Sequence, residues 1–178
     1  MRYGIEEEPQ SRTAYTTATG SRVVGTGMWI NTADPFLGAS PYGLILDHLD
    51  HAVGIIEIKC LKVLKDISVA DLLRSIEEKQ VSSTVLSRQC FTVHEKTLIL
   101  KESDTYFFQI QLQLLTTGLP FCDFVMHTPK GPPSIQRITP NVFFPDGLRK
   151  NISAFWHKVF IPEYFEMRVP RRLAPFIL

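Results

Sequence analysis

Residues 54–60, GIIEIKC, decide the fold, because they read as a buried strand that nevertheless carries Glu57 and Lys59. Side chains two residues apart in a strand point to the same face. The carboxylate and the ammonium therefore share one face, and Ile56 and Ile58 share the other. One interpretation is an edge strand whose charged face is exposed to water. The other is a strand whose charged face lines a functional cleft.

Composition predicts a single globular domain. The chain has 178 residues, of which 44% are hydrophobic and 21% charged, enough apolar volume for a substantial core. No apolar run approaches the roughly 18 residues that cross a bilayer, and the start MRYGIEEEPQ has no signal-peptide core. We expect a soluble, intracellular protein with no membrane partner. The nucleus and the cytoplasm both remain open as its compartment.

Cysteine content and charge exclude several classes of protein. The three cysteines are odd in number and contain no CxxC pair, which argues against a disulfide framework and against a zinc site. The formal net charge of +1 provides no global attraction to nucleic acid. Any affinity for a polyanion must therefore be local.

Periodicity and turn residues predict alternating strands and helices. Residues 106–118 fit both strand and helix periods, but their length favours a helix that Asp104 would cap and Gly118 would end. Strands interleaved with helices indicate an α/β (α+β) fold with a mixed sheet and helices packed on its faces. Helices are predicted over 6–20, 68–79 and 147–160, strands over 22–30, 42–46, 54–60, 121–128 and 134–139, and a small hairpin over 90–101.

The Glu-x-Lys pattern at residues 57–59 indicates phosphate chemistry. On the second strand of a hairpin, it supplies one metal-binding oxygen and one cation from the same face. If the first strand begins with an acid, two carboxylates can hold Mg²⁺ while the lysine stabilises charge on an attacked phosphate. This is the arrangement of the PD-(D/E)xK nucleases. The acid is expected within residues 35–45, PFLGASPYGLI.

The chain resembles the YqaJ-like viral recombinase family, a lambda-exonuclease-like group of the PD-(D/E)xK nuclease superfamily. Residues 37–45 and 54–60 resemble its Ala-Ser-Pro-Asp-Gly and Leu-Glu-Ile-Lys-Cys pattern, and residues 106–131 resemble its Tyr-x-x-Gln-x-Gln helix and Thr-Pro-Lys turn. Residues 4–15 resemble its first helix. The resemblance implies a restriction-endonuclease-like core, a central mixed sheet flanked by helices. It also implies one nuclease domain over 1–178, truncated at the amino terminus.

The resemblance also implies the roles of individual residues. Lys59 would be the catalytic lysine, Glu57 a metal ligand, and Glu8 the first-helix acid that holds a metal or water. The matching helix glutamines would face the active site and DNA, which favours the helix reading of residues 106–118. The implied catalytic residues are Lys59, Glu57, Gln109 and Gln111; the metal ligands are Glu57 and Glu8; the DNA-binding residues are Lys130, Gln109 and Gln111.

One position departs from the family pattern. Tyr42 stands where the family has the first-strand aspartate. A neutral phenol, with a pKa of about 10, is a poor ligand for Mg²⁺. Asp34, Asp47 and Asp50 are the nearby alternatives, although none stands at the motif position. We therefore expect little or no hydrolysis.

Two functions remain open at this level. One is a deoxyribonuclease that uses Mg²⁺ or Mn²⁺ and resembles a 5′ to 3′ exonuclease acting on duplex DNA ends in recombination or repair. The other is a catalytically dead, nuclease-derived domain for DNA binding or scaffolding. A third and weaker interpretation is a catalytic module that acts only inside a larger protein, which would supply the missing helices. The resemblance also implies a homo-oligomer, a trimer. In both cases we expect Glu8, Glu57, Lys59 and Gln109 to converge on one concave site, with Tyr42 beside Glu57.

Overall fold

The computed structural model describes residues 2–60, 65–142 and 145–177. The helices are α1 (Arg2–Thr19), α2 (Val69–Glu77), α3 (Ser83–Ser87), α4 (Thr105–Thr117), α5 (Pro145–Phe155) and α6 (Ile161–Glu166), with a π-helical segment, Trp156–Phe160, between the last two. The strands are β1 (Arg22–Gly25), β2 (Trp29–Ile30), β3 (Gly38–Ala39), β4 (Gly43–Leu46), β5 (Ala52–Cys60), β6 (Phe91–His94), β7 (Thr97–Leu100), β8 (Cys122–His127) and β9 (Ser134–Ile138).

The main sheet is mixed and has five strands in the order β1-β4-β5-β8-β9. Strand β5 pairs with β4 in antiparallel fashion and with β8 in parallel fashion. The fold is therefore α/β with a central mixed sheet flanked by helices, which confirms the predicted class. Because β5 has a partner on each side, the edge-strand interpretation of residues 54–60 is wrong.

The two faces of β5 belong to two apolar clusters. Ile55 packs with α4 and the β6–β7 hairpin through Phe107, Leu98 and others in the larger cluster. Ile56 and Ile58 pack on the opposite face with Tyr15 of α1. Successive side chains of β5 thus point in turn to the α4 side and to the α1 side of the sheet. Glu57 and Lys59 point to the α4 side, as Ile55 does.

Buried hydrogen bonds fix α1 on its side of the sheet. The Tyr15 hydroxyl donates to Asp123 Oδ2 of β8 at 2.6 Å. Arg137 donates to both oxygens of the same carboxylate, at 2.8 and 2.9 Å. Burial, followed by the contact with Asp123, raises the pKa of Tyr15, so its phenol remains a neutral donor. A buried carboxylate therefore connects one helix and two strands.

The segment 106–118 is a helix, as its length and end residues indicated. Asp104 accepts a hydrogen bond from the Tyr106 amide at 2.9 Å, and Gly118 ends the helix with φ +69°. A left-handed residue at this position costs glycine no steric strain. Ser68 caps α2 in the same way, accepting from the Asp71 amide at 3.0 Å.

Residues 22–30 do not form the single predicted strand. Strand β1 joins the main sheet, whereas β2 pairs with β3 in a separate two-stranded sheet. The Trp29 indole donates to Thr26 Oγ1 at 2.8 Å, which fixes a turn between the two strands. The short helix α3 and the continuation of the closing helix into α6 also lie outside the predicted elements. Within the described residues, no helix is long and apolar enough to cross a membrane.

A glycine on β5 provides a test of the packing between β5 and β8. A Cβ at Gly54 would clash with the Phe121 ring, over which the Arg137 guanidinium lies at 3.6 Å. We expect Gly54→Ala to lower the free energy of unfolding by about 1–3 kcal/mol, because the confined ring cannot move freely. Urea denaturation measures the change.

The matched control is Gly25→Ala on β1, where an added Cβ meets nothing within 4 Å. Its effect should stay within about 0.5 kcal/mol. Equal midpoints for the two variants would contradict the packing at Gly54.

Candidate active site

The Glu57 carboxylate is the centre of the candidate site. Only 6% of the residue is exposed. Its Oε1 accepts from Gln109 Nε2 at 3.0 Å and lies 2.7 Å from the Lys59 ammonium. Its Oε2 accepts from Gln113 Nε2 at 3.0 Å. A buried carboxylate needs such donors to offset the loss of hydration.

Lys59 connects this carboxylate to the surface. Its side chain is 21% exposed, so the ammonium reaches solvent although its carboxylate partner is buried. The ammonium also lies 4.2 Å from the centre of the Tyr106 ring, at the start of α4. Glu57 and Tyr106 therefore hold a partly exposed cation in a defined position, where it could meet an anion such as a phosphate.

Helix geometry decides which glutamines reach Glu57. Residues four apart lie on one face of a helix, whereas residues two apart do not. Gln109 and Gln113 accordingly both contact Glu57. Gln111 instead donates to Thr139 O at 3.1 Å and accepts from the Asn141 amide at 2.9 Å. The structure brings Gln109 to Glu57 and directs Gln111 elsewhere; the catalytic and DNA-binding roles of both stay predictions.

Sequence reasoning missed Gln113. The motif Tyr-x-x-Gln-x-Gln ends at residue 111, and alternation of glutamine along 109–113 directed attention to strand period. Once the segment is treated as a helix, spacing of four residues from Gln109 identifies Gln113 as its neighbour. That spacing was the available signal.

Tyr42 lies just before β4 and packs into the apolar cluster on the α1 side, with Ile56 and Tyr15. Its hydroxyl donates to the Glu8 backbone carbonyl at 3.1 Å. Burial raises the pKa of Tyr42, Arg12 opposes the rise and Glu8 adds to it. The phenol is therefore a neutral donor committed to α1 and not an anionic ligand.

Glu8 contributes its backbone carbonyl to the Tyr42 hydroxyl. The groups that contact the Glu57 carboxylate come instead from Lys59, Gln109 and Gln113. The structure thus unites Glu57, Lys59 and Gln109, and it associates Glu8 with Tyr42. The role of Glu8 as a metal ligand stays a prediction.

The three alternative acids have other partners. Asp47 Oδ1 accepts the amides of Leu49 and His51 at 2.8 and 2.9 Å. Asp50 pairs with Arg22 at 2.6 Å, and Asp34 pairs with Arg149 at 2.7 Å. Asp47 is thus held within its own loop, whereas Asp50 and Asp34 are paired with arginines of β1 and α5.

The residues present do not fit the expected magnesium site with two carboxylates. Mg²⁺ binds chiefly through carboxylate and other hard oxygens. Glu57 is one such group, but its Oε1 already meets two donors, and the matching position across the hairpin carries a neutral phenol that faces α1. Over residues 2–60, 65–142 and 145–177, no group of three or more His, Cys, Asp or Glu side chains is placed to hold a metal ion.

Lys130 lies exposed in the turn between β8 and β9, where its backbone amide donates to Thr128 Oγ1 at 3.4 Å. An exposed ammonium on a turn can meet a phosphate without any change of fold. Its predicted contact with DNA stays a prediction.

The ion pair at the centre of the site should contribute to stability. Replacing Lys59 by Met leaves the buried Glu57 carboxylate with amide donors only, and breaking a buried pair in this way costs about 3 kcal/mol. We expect that loss in urea denaturation. Lys130→Met is the control, because the exposed turn should tolerate it within about 0.5 kcal/mol. Similar midpoints for both variants would count against the pair as a stabilising contact.

Comparison with known proteins gives the chain its family. A model of the YqaJ-like viral recombinase domain matches residues 1–120. No curated protein matches the chain. Among solved structures, the chain is similar to an alkaline exonuclease (LHK-Exo) from Laribacter hongkongensis, with 25% identity and a TM-score of 0.64. The similarity covers 98% of this chain and 75% of that one.

The complex of LHK-Exo with dAMP is similar to the same extent, with 25% identity, a TM-score of 0.63 and coverage of 98% and 75%. Glu57 and Lys59 lie within the matched residues and on the central strand of the mixed sheet, so the family match and the fold are consistent. The chain belongs to the YqaJ-like viral recombinase domain family.

Proposed function

We propose that residues 1–178 form one nuclease-like domain that binds the ends of duplex DNA in recombination or repair, with little hydrolysis of its own. The contrast between two neighbouring positions carries the proposal. Glu57 and Lys59 pair at 2.7 Å in a Glu-x-Lys pattern that resembles a phosphodiester-cleaving site, while the Tyr42 hydroxyl, at the position of the expected carboxylate, donates to the Glu8 carbonyl. The first feature supports phosphate binding, and the second supports a loss of catalysis.

Similarity supports DNA as the partner. The structural relative is an alkaline exonuclease, and one of its crystal structures contains dAMP. A nucleotide in a structure of this relative supports a nucleic-acid partner for the present chain. We extend that substrate class to the present chain, and we include a homotrimer as the proposed assembly.

The roles of the chain's own residues follow from their contacts. Lys59, held by Glu57 and Tyr106, presents its positive charge to a phosphate of the DNA backbone. Gln109 helps to keep the Glu57 carboxylate in place beside this cation. Lys130 would add a second phosphate contact from the β8–β9 turn. Gln111 receives no DNA contact in this proposal, because it is buried and has a partner at each end of its amide.

A second candidate is an active exonuclease that uses Mg²⁺ or Mn²⁺. The retained Glu57–Lys59 pair is the observation that favours it, because a buried carboxylate with a neighbouring lysine is suited to phosphodiester hydrolysis. The neutral Tyr42 opposes it, since one carboxylate is a weaker site for a hard cation than two. A cleavage assay separates the two candidates.

Duplex binding should depend on salt and on both lysines. Phosphate contacts from lysine release counterions, so affinity should fall as salt rises. We expect Lys59→Ala and Lys130→Ala each to weaken binding and to reduce the slope of log affinity against log salt by about one unit. Fluorescence anisotropy with a linear duplex at several salt concentrations measures both quantities.

Lys96→Ala is the matched control, because it removes one positive charge from a lysine on the β6–β7 turn that pairs with Glu77 at 3.6 Å. Its slope should match that of the unmodified protein. An affinity independent of salt, or no binding at low salt, would refute the proposed DNA partner.

Restoring the missing carboxylate should restore metal binding. We expect Tyr42→Asp to raise Mg²⁺ or Mn²⁺ affinity in calorimetry and to permit degradation of linear duplex DNA. The aspartate supplies a second charged oxygen across the hairpin from Glu57, and it removes the phenol that binds Glu8 on the α1 side. Tyr42→Asp combined with Lys59→Ala should remain inactive.

Tyr42→Phe is the control for the altered packing, because it removes the hydroxyl contact with Glu8 without adding a carboxylate. It should remain as inactive as the unmodified protein. If the unmodified protein already digests DNA as fast as Tyr42→Asp, and Lys59→Ala abolishes that activity, the claim of low hydrolysis is wrong.

A further inference from the structure

Gln113 is one of the most deeply buried polar residues of the described chain. It is 2% exposed, and its Nε2 donates to Glu57 Oε2 at 3.0 Å. Gln109 and Lys59 both contact the other oxygen, Oε1. Gln113 therefore determines where the second oxygen of the carboxylate points.

The other end of the Gln113 amide distinguishes it from Gln111. Gln113 Oε1 is buried and has no hydrogen-bond partner among the described residues. Gln111 has a partner at each end of its amide, Thr139 O and the Asn141 amide. Reversing the Gln111 amide would break two hydrogen bonds, whereas reversing the Gln113 amide sacrifices only the bond to Glu57.

We infer that Gln113 is a positioning residue that holds Oε2 of the Glu57 carboxylate. When residue 57 presents a donor instead of an acceptor, the Gln113 amide can reverse and accept a hydrogen bond from it. A buried acceptor without a partner is costly, so its presence beside the site carboxylate calls for a role there. The inference rests on the proposed function only in that Glu57 is taken as the site carboxylate.

Gln109 and Gln113, on successive turns of α4, each contact a different oxygen of the Glu57 carboxylate, so the second glutamine adds a restraint that the first does not provide. Gln109 and Lys59 contact Oε1 alone, so they restrain rotation of the carboxylate from one side only. With the Gln113 donor on Oε2, any rotation about the Cγ–Cδ bond lengthens hydrogen bonds at both oxygens. The plane of the carboxylate, and with it the position of the Lys59 ammonium, is then defined before any phosphate arrives.

A double-mutant cycle between residues 57 and 113 tests the inference without DNA or metal. The four proteins are the unmodified chain, Gln113→Leu, Glu57→Gln and the double variant. Leucine has nearly the volume of glutamine but no polar atoms. Hydrogen bonds to charged groups are stronger than those to neutral groups, so Gln113→Leu should cost more when Glu57 is present.

We expect Gln113→Leu to change the unfolding equilibrium constant about fivefold more in the Glu57 protein than in the Glu57→Gln background. Thr116→Val is the matched control, because Thr116 is buried on the same helix and its hydroxyl has no hydrogen-bond partner among the described residues. Its effect should be equal in both backgrounds. Equal effects of Gln113→Leu in both backgrounds would overturn the inference.

The side-chain amide of Gln113 provides a second measurement. Its NMR signals, assigned by their loss in Gln113→Leu, should shift strongly in Glu57→Gln as the amide reverses, while those of Gln111 stay in place. A Gln113 signal that does not respond would overturn the reversal. Absence of DNA binding would refute the proposed function and leave both measurements valid, so the two failures are distinguishable.

Discussion

The structure depends on the burial of one carboxylate, Glu57, in the middle of a five-stranded sheet. An ionised group taken out of water is strongly destabilising unless donors replace its hydration. Strand β5 supplies one donor through Lys59, and helix α4 supplies two through Gln109 and Gln113. The position of α4 is therefore fixed by polar contacts as well as by the apolar cluster beneath it. The same contacts hold the cation of the candidate site.

On the opposite face of the sheet, a second buried carboxylate is likewise stabilised by donors from neighbouring elements. Asp123 is buried on β8, and its donors are Tyr15 from α1 and Arg137 from β9. One carboxylate on each face thus ties a helix to the central strands. Only the α4 side carries the pattern of a phosphodiester-cleaving site, which illustrates that family and fold do not by themselves establish an activity. Tyr42 belongs to the α1 side by its contacts, so it lies apart from the groups that bind the Glu57 carboxylate.

The sequence by itself determined the local elements. The β4–β5 hairpin was identifiable because a short polar link joins two apolar runs. Helix α2 was identifiable from Ser68 and Asp71 in capping register, and α4 from the same kind of end residues together with its length. The placement of Glu57 and Lys59 on one face of β5 followed from the two-residue period of a strand alone. All these features depend on contacts within a few residues, which the order of amino acids specifies directly.

Only the tertiary structure decided which of these elements meet. The central place of β5 comes from its parallel pairing with β8, more than 60 residues later in the chain. Gln113 reaches Glu57, and Gln111 does not, because α4 crosses the sheet in one orientation. Tyr42 turns toward Glu8 because α1 offers a backbone carbonyl and an apolar cluster there. Each outcome depends on packing between distant segments. The four-residue spacing shows that Gln113 shares a helix face with Gln109, but no local pattern in the sequence specifies which distant segment that face meets.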